Sequence, residues 1–314
     1  MYIEQAFKGL HDWWRYAIGT VLIIFAVILG QIPISIAFIA KAMMDDKDFT
    51  KLTESEMLSS LEPNLNLFLL LLSFAIGLVG VLVVAKTLHK QTITQLTTSR
   101  KKIDWKRFWF SFIFWGIVST SMIGFDYMSS PENYVINFKL VPFIILCVIA
   151  IVMIPLQTSF EEYLFRGYFM QGLGVVFKNK WVPLLLTSLV FGLLHIANPE
   201  VEKLGYVIMV YYIGTGLFLG VLTLMDEGME LSLGFHAANN LFTAVLVTAD
   251  WTAFQTHSVL KDMSNPEKAG FMDVFFPVFV MFPIILFIFS KVYKWTDWKA
   301  KLFGRVVAPS KDIL

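Results

Sequence analysis

The chain has 314 residues, 57% of them hydrophobic and 16% charged, with a net charge of +1 and a mean hydropathy of +0.67. Soluble domains carry roughly 25% charged residues, so this composition excludes an ordinary soluble fold and places the chain among membrane proteins. The near-neutral charge gives no basis for nucleic-acid binding, and a lone Cys147 excludes a disulfide framework or a paired-cysteine metal or redox motif.

Residues 2–16 mix Phe7, Leu10, Trp13, Trp14 and Tyr16 with Lys8 and Arg15. That pattern fits an interfacial amphipathic helix or an aromatic and basic belt anchoring neighbouring helices. Eight apolar runs follow, at 17–40, 66–85, 108–124, 140–158, 181–197, 206–225, 231–249 and 273–293. Runs of about 17–25 residues cross the hydrocarbon core, and the first is too long for the ~7–15-residue core of a cleaved signal peptide. Between the second and third runs, residues 90–106 mix Ile93, Leu96, Ile103 and Trp105 with a basic cluster suited to anionic headgroups or to the same belt. No run shows the alternation of a membrane barrel strand, and no internal repeat marks a transporter. The expected fold is all-α: a polytopic bundle of about eight spans forming one integral membrane domain, 1–314, with a motif-bearing core at about 140–249.

Lysine and arginine placement sets the orientation. Lys86, Lys90, Arg100, Lys101, Lys102, Lys106 and Arg107 follow the second run, and Lys291, Lys294, Lys299, Lys301, Arg305 and Lys311 follow the last. Both groups belong in the cytoplasm. The segment 45–62 is acidic and belongs outside, so eight spans put both termini inside. The acidic turn Asp226-Glu227-Gly228-Met229-Glu230 must then also lie inside, against the trend.

Three strings within the apolar runs carry candidate chemistry: Glu161-Glu162-x-x-x-Arg166, Phe191-x-x-x-His195 and His236-x-x-x-Asn240. An ionisable group at the centre of a span costs roughly 2.5–3.5 kcal/mol on insertion scales, so such residues need a reason. In a helix, Glu162 and Arg166 share a face as an i,i+4 ion pair, while Glu161 points about 100° away and stays free. Taken singly, each string also reads as a structural bridge, a helix-end histidine or interhelical glue. Taken together, Glu161, His195, His236 and Asn240 lie on three helices and need polar partners in an apolar medium, which one shared wet cavity supplies. Two chemistries fit that cavity. Glu161 and His195 can activate a water while His236 and Asn240 donate to an oxyanion, or Glu161, His195 and His236 can hold zinc with an open fourth position. Other membrane hydrolase designs find no match: there is no H-E-x-x-H helix, no G-x-S-x-G elbow, no serine–histidine pairing and no paired membrane aspartates.

The ordered strings E-E-x-x-x-R, F-x-x-x-H and H-x-x-x-N resemble the CAAX protease and bacteriocin-processing (CPBP, or Abi) family, related to the type II CAAX prenyl protease. The specific match covers roughly residues 155–245. The resemblance implies an intramembrane endopeptidase of the glutamate type, without a cofactor, acting on a membrane-associated or prenylated peptide. It makes Glu161 the general base with His195 beside it, Glu162 and Arg166 the supporting pair, and His236 and Asn240 the oxyanion donors. The zinc alternative stays open, as does a non-catalytic immunity or scaffold protein. The expected partners are the bilayer and a peptide or protein substrate at it, and the expected location is a bacterial plasma membrane. Finally, residues 140–177 as one helix would run about 57 Å, nearly twice the ~30 Å core, which predicts a bend, tilt or break between Pro155 and Glu161.

Overall fold

The structure, a computed structural model, describes residues 1–266 and 271–308; Lys311 of the basic tail lies outside the described residues. Eight principal helices run α1 (Trp13–Met44), α2 (Pro63–Thr87), α3 (Trp105–Ser129), α4 (Leu140–Phe177), α5 (Trp181–Leu193), α6 (Met209–Asp226), α7 (Glu230–Leu246) and α8 (Val274–Val292). The fold is an all-α polytopic bundle. Six of these helices are long and apolar enough to span a membrane, α6 together with its lead-in from Tyr206. The other two, α5 and α7, have 13 and 17 residues, about 20 and 26 Å, and fall short of a ~30 Å core.

Packing runs α1 on α2, α2 on α4, α4 on α7 and α7 on α3, with α5 and α6 paired alongside. One apolar core joins α3, α6, α7 and α8 around Phe218, Phe235, Phe282 and Phe289. A second joins α1, α2 and α4 around Val81, Phe160 and Phe165. The motif-bearing helices lie between them. The outer face of α1 presents Val21, Phe25 and Ile36, as lipid-facing apolar side chains should be.

The connections sort by charge. Val306 N–H donates to Lys178 O at 3.1 Å and Lys180 pairs with Glu4 at 3.7 Å, so the described ends of the chain meet at one pole. That pole also holds the basic 88–107 segment and the acidic turn. The turn's charge is neutralised there: Arg100 bridges Asp226 at 2.9 Å and Glu230 at 3.1 Å, and Arg107 also reaches Asp226. The acidic turn is therefore the counter-charge of the basic loop and shares its pole. At the opposite pole β1 (Tyr134–Ile136), β2 (Val247–Thr248) and β3 (Leu260–Asp262) form a small sheet, β3 central, antiparallel to β1 and parallel to β2.

Two expectations need correction. Residues 2–16 do not form an interfacial helix: Ile3–Lys8 is a 3-10 turn packed under the end of α4, with Tyr2 and Ile3 buried, and α1 begins at Trp13. The Tyr2 hydroxyl donates to Leu96 O at 2.8 Å and lies 3.0 Å from Arg166 O, strapping the N-terminus across the pole that holds the basic segment. Of the bend, tilt or break expected between Pro155 and Glu161, the break does not occur in α4. It is α-helical through Glu162, π-helical over Tyr163–Phe169 and α-helical again from Met170. Thr158 Oγ1 donates back to Ile154 O at 3.1 Å, an ordinary i−4 back-bond of a helical threonine. The strap and the 93–97 turn pack on the far end of this long helix.

Candidate active site

The site is built on α4, where Glu161 and Glu162 are adjacent, so a helical step of about 100° aims them differently. Glu162 and Arg166, one turn apart, are both fully buried. Arg166 Nη1 donates to Glu162 Oε1 at 3.0 Å, and Nη2 donates to Gly216 O at 2.9 Å. Gly216 is needed there. A Cβ at this position would lie 2.8 Å from Ser188 O, so only glycine lets α6 approach α5 and offer its carbonyl. The π-helical turn surrounds Arg166, a distortion frequent at functional sites.

His236, on α7, faces both carboxylates. Its Nδ1 donates to Glu162 Oε1 at 3.0 Å, and its Nε2 lies 3.4 Å from Glu161 Oε2. Glu162 is thus held by two donors from two helices, while Glu161 keeps one oxygen toward His236. The other oxygen of Glu161 accepts from Gln157 Nε2 at 2.8 Å, and Gln157 Oε1 accepts from Asn240 Nδ2 at 3.0 Å. Asn240 is half-buried, and its amide joins Glu161 through Gln157 rather than directly.

His195 closes the arrangement less tightly. Phe191 O accepts from its Nδ1 at 2.8 Å, which leaves Nε2 as the lone-pair nitrogen of a neutral ring. The ring stacks on Tyr212, centroids 4.5 Å apart. Among the described residues no hydrogen bond links His195 to Glu161. The connection is Phe191, whose ring lies under the Arg166 guanidinium at 4.5 Å and 6.1 Å from His236. Phe191 is a cation–π platform between the first and second strings.

The structure thus brings Glu161, Glu162, Arg166, His236 and Asn240 into one connected cluster and sets His195 at its edge. Gln157 was missed by sequence reasoning, although an amide four residues before Glu161 shares its helix face. For the zinc alternative, no group of three or more His, Cys, Asp or Glu side chains among the described residues is arranged to hold a metal ion. As placed, Glu161, His195 and His236 do not close into a ligand set.

One further carboxyl lies near, outside the spans. Glu200 follows α5 in the short helix Pro199–Leu204 and accepts from Ala253 N–H at 2.9 Å. Burial pushes its carboxyl above the ordinary glutamate range, against the opposing pull of that N–H and of His195.

Acids and bases are thus gathered inside a polytopic bundle of apolar helices. Residues 136–242 match the family described as type II CAAX prenyl endopeptidase, Rce1-like. The chain is also 30% identical over 245 residues to the uncharacterized protein YyaK of Bacillus subtilis (strain 168), covering 77% of this chain and 80% of that one. No solved structure matches it. The chain belongs to the Rce1-like CAAX endopeptidase family and is an integral membrane peptidase.

Proposed function

We propose that the protein is a glutamate-type intramembrane endopeptidase that cleaves a membrane-associated or prenylated peptide from the cytoplasmic side of a bacterial plasma membrane. The observation that carries this reading is the buried pairing of Glu161 with His236 beside an already neutralised Glu162–Arg166 pair. Because Glu162 has its own cation, Glu161 is the carboxylate left to exchange a proton.

In the proposed reaction Glu161 takes a proton from a water that His195 Nε2 also orients, and the hydroxide oxygen bonds to the scissile carbonyl carbon. The carbonyl π electrons move to oxygen. That charge is met by the second amide hydrogen of Asn240 and by His236, which must then carry hydrogen on Nε2 as well as Nδ1. As the C–N bond breaks, Glu161 returns its proton to the leaving nitrogen, yielding a carboxylic acid and an amine. Glu162 and Arg166 hold His236 in register. Helix α7 supplies both oxyanion donors from positions one turn apart, so one rigid element sets their spacing.

The test is cleavage of a fluorescence-quenched peptide ending in farnesylated Cys-aliphatic-aliphatic-X in proteoliposomes. Glu161→Ala should abolish cleavage while the protein stays folded in the membrane. Retained cleavage would remove Glu161 from the mechanism. A biological effect that persists through both Glu161→Ala and His236→Ala would replace the enzyme with a scaffold in which the polar cluster is packing glue.

A further inference from the structure

Three amide side chains connect Glu161 to a tryptophan two helices away. Trp115 Nε1 on α3 donates to Asn239 Oδ1 at 3.0 Å. Asn239 Nδ2 donates to Asn240 Oδ1 at 3.1 Å, Asn240 Nδ2 to Gln157 Oε1 at 3.0 Å, and Gln157 Nε2 to Glu161 Oε1 at 2.8 Å. The chain has a direction. An indole N–H can only donate, so the Asn239 oxygen must face Trp115 and its NH₂ must face onward. An ionised carboxylate can only accept, so the far end independently requires the Gln157 NH₂ to face Glu161. Both ends dictate the same orientation for all three amides. The last link is also the shortest, as expected for a hydrogen bond to a charged acceptor.

We infer that Trp115, Asn239 and Gln157 are positioning residues, a one-way amide relay that fixes the Glu161 carboxylate and the Asn240 amide together. The inference rests on the proposed role of Glu161 and Asn240 and adds residues from outside the three strings. Gln157 sits between these two groups and is only 3% exposed. It sets their separation, one holding the water's base and the other the oxyanion donor. By using one Asn240 hydrogen, Gln157 leaves the second for the substrate. Linked hydrogen bonds polarise one another, so the charge on Glu161 is felt as far away as the indole. The groups that face Glu161 are His236 at 3.4 Å, its neighbour Glu162, and Arg166 across Glu162. None of them belongs to the relay.

Two measurements on the full-length protein in proteoliposomes or micelles test it. With the farnesylated peptide, Gln157→Leu should lower kcat at least tenfold while KM stays within about twofold, because the lost contact positions reacting groups and does not bind substrate. Asn239→Asp retains the volume and the acceptor for Trp115 but cannot donate onward, so kcat should fall in the same way. A rise in KM with unchanged kcat in both variants would overturn the assignment. The second measurement needs no activity. In ¹⁵N-tryptophan-labelled protein, the Trp115 indole resonance, assigned by its loss in Trp115→Phe, should move upfield in Glu161→Gln, which replaces a charged terminal acceptor by a neutral one. An unmoved resonance would overturn the relay even if Glu161→Ala abolished cleavage. A resonance that moves in a protein without peptidase activity would uphold the relay and sink the protease reading alone.

Discussion

Arg166 offers the sharpest energetic test, because its charge is buried completely. Its guanidinium donates to Glu162 at 3.0 Å and to Gly216 O at 2.9 Å and lies 4.5 Å from the Phe191 ring centroid. Arg166→Met keeps an apolar stem but leaves Glu162 with the His236 donor alone. Breaking one side of a buried ion pair costs about 3–5 kcal/mol, mostly as the penalty of an uncompensated charge. The loss of the aromatic contact falls within that figure at about 1–2 kcal/mol. Glu162→Gln/Arg166→Met removes both charges, so it should regain about 2–3 kcal/mol of the loss despite carrying one more substitution. The assay is reversible unfolding in mixed micelles by sodium dodecyl sulfate, followed by tryptophan fluorescence, on wild type, both single variants and the double variant. A double variant no more stable than Arg166→Met would refute the reasoning. The cost would then lie in volume and lost contacts, and the neutralisation that frees Glu161 would have no energetic basis.

Two further predictions concern metal and pH. On the metal-free mechanism, purified protein should retain peptidase activity after dialysis against 1,10-phenanthroline, and Glu161→Ala should leave its metal content unchanged by mass spectrometry. Stoichiometric zinc that disappears with Glu161, His195 or His236 would establish the alternative ligand set. Glu200 should give a pH signature in stability: its folded-state carboxyl is raised by burial, so the unfolded chain loses its proton first as pH rises. Stability should therefore fall with rising pH, from the ordinary glutamate value near about 4.3 up to the folded-state value, and level off above it. Glu200→Gln should lack that decline in the same unfolding assay, and parallel pH profiles for the two proteins would contradict the burial argument.

Hydropathy made the bundle legible, because span length is nearly a local property of the chain. The acidic turn at 226–230 looked misplaced only because its partners, Arg100 and Arg107, are more than a hundred residues away. The three strings revealed their own i,i+4 pairings, but the contacts between strings were invisible. Nothing in Phe191-x-x-x-His195 says that its phenylalanine lies beneath an arginine of another helix. Helix length alone did not say where α4 would turn irregular: it runs as α-helix through Pro155 to Glu162. The irregularity came later, over Tyr163–Phe169, where the backbone carries Arg166 to a carbonyl on α6, a requirement that α4 alone does not encode.

The shortness of α5 connects these observations to function. At about 20 Å it ends about 10 Å short of a ~30 Å hydrocarbon core. His195 is therefore delivered to the helix end, where Phe191 O, one of the carbonyls left without a backbone partner, accepts from its Nδ1. A spanning helix would give that carbonyl to the backbone four residues on and leave the imidazole tautomer unset. The segment 194–205 then returns as a turn followed by the short helix Pro199–Leu204. Ala253 covers part of it by donating to Glu200. A truncated helix is thus the means by which the fold sets the His195 imidazole, its Nδ1 bonded to Phe191 O, at the edge of the cluster, and extending α5 by one turn should remove His195 from that edge while leaving Glu161 and His236 paired.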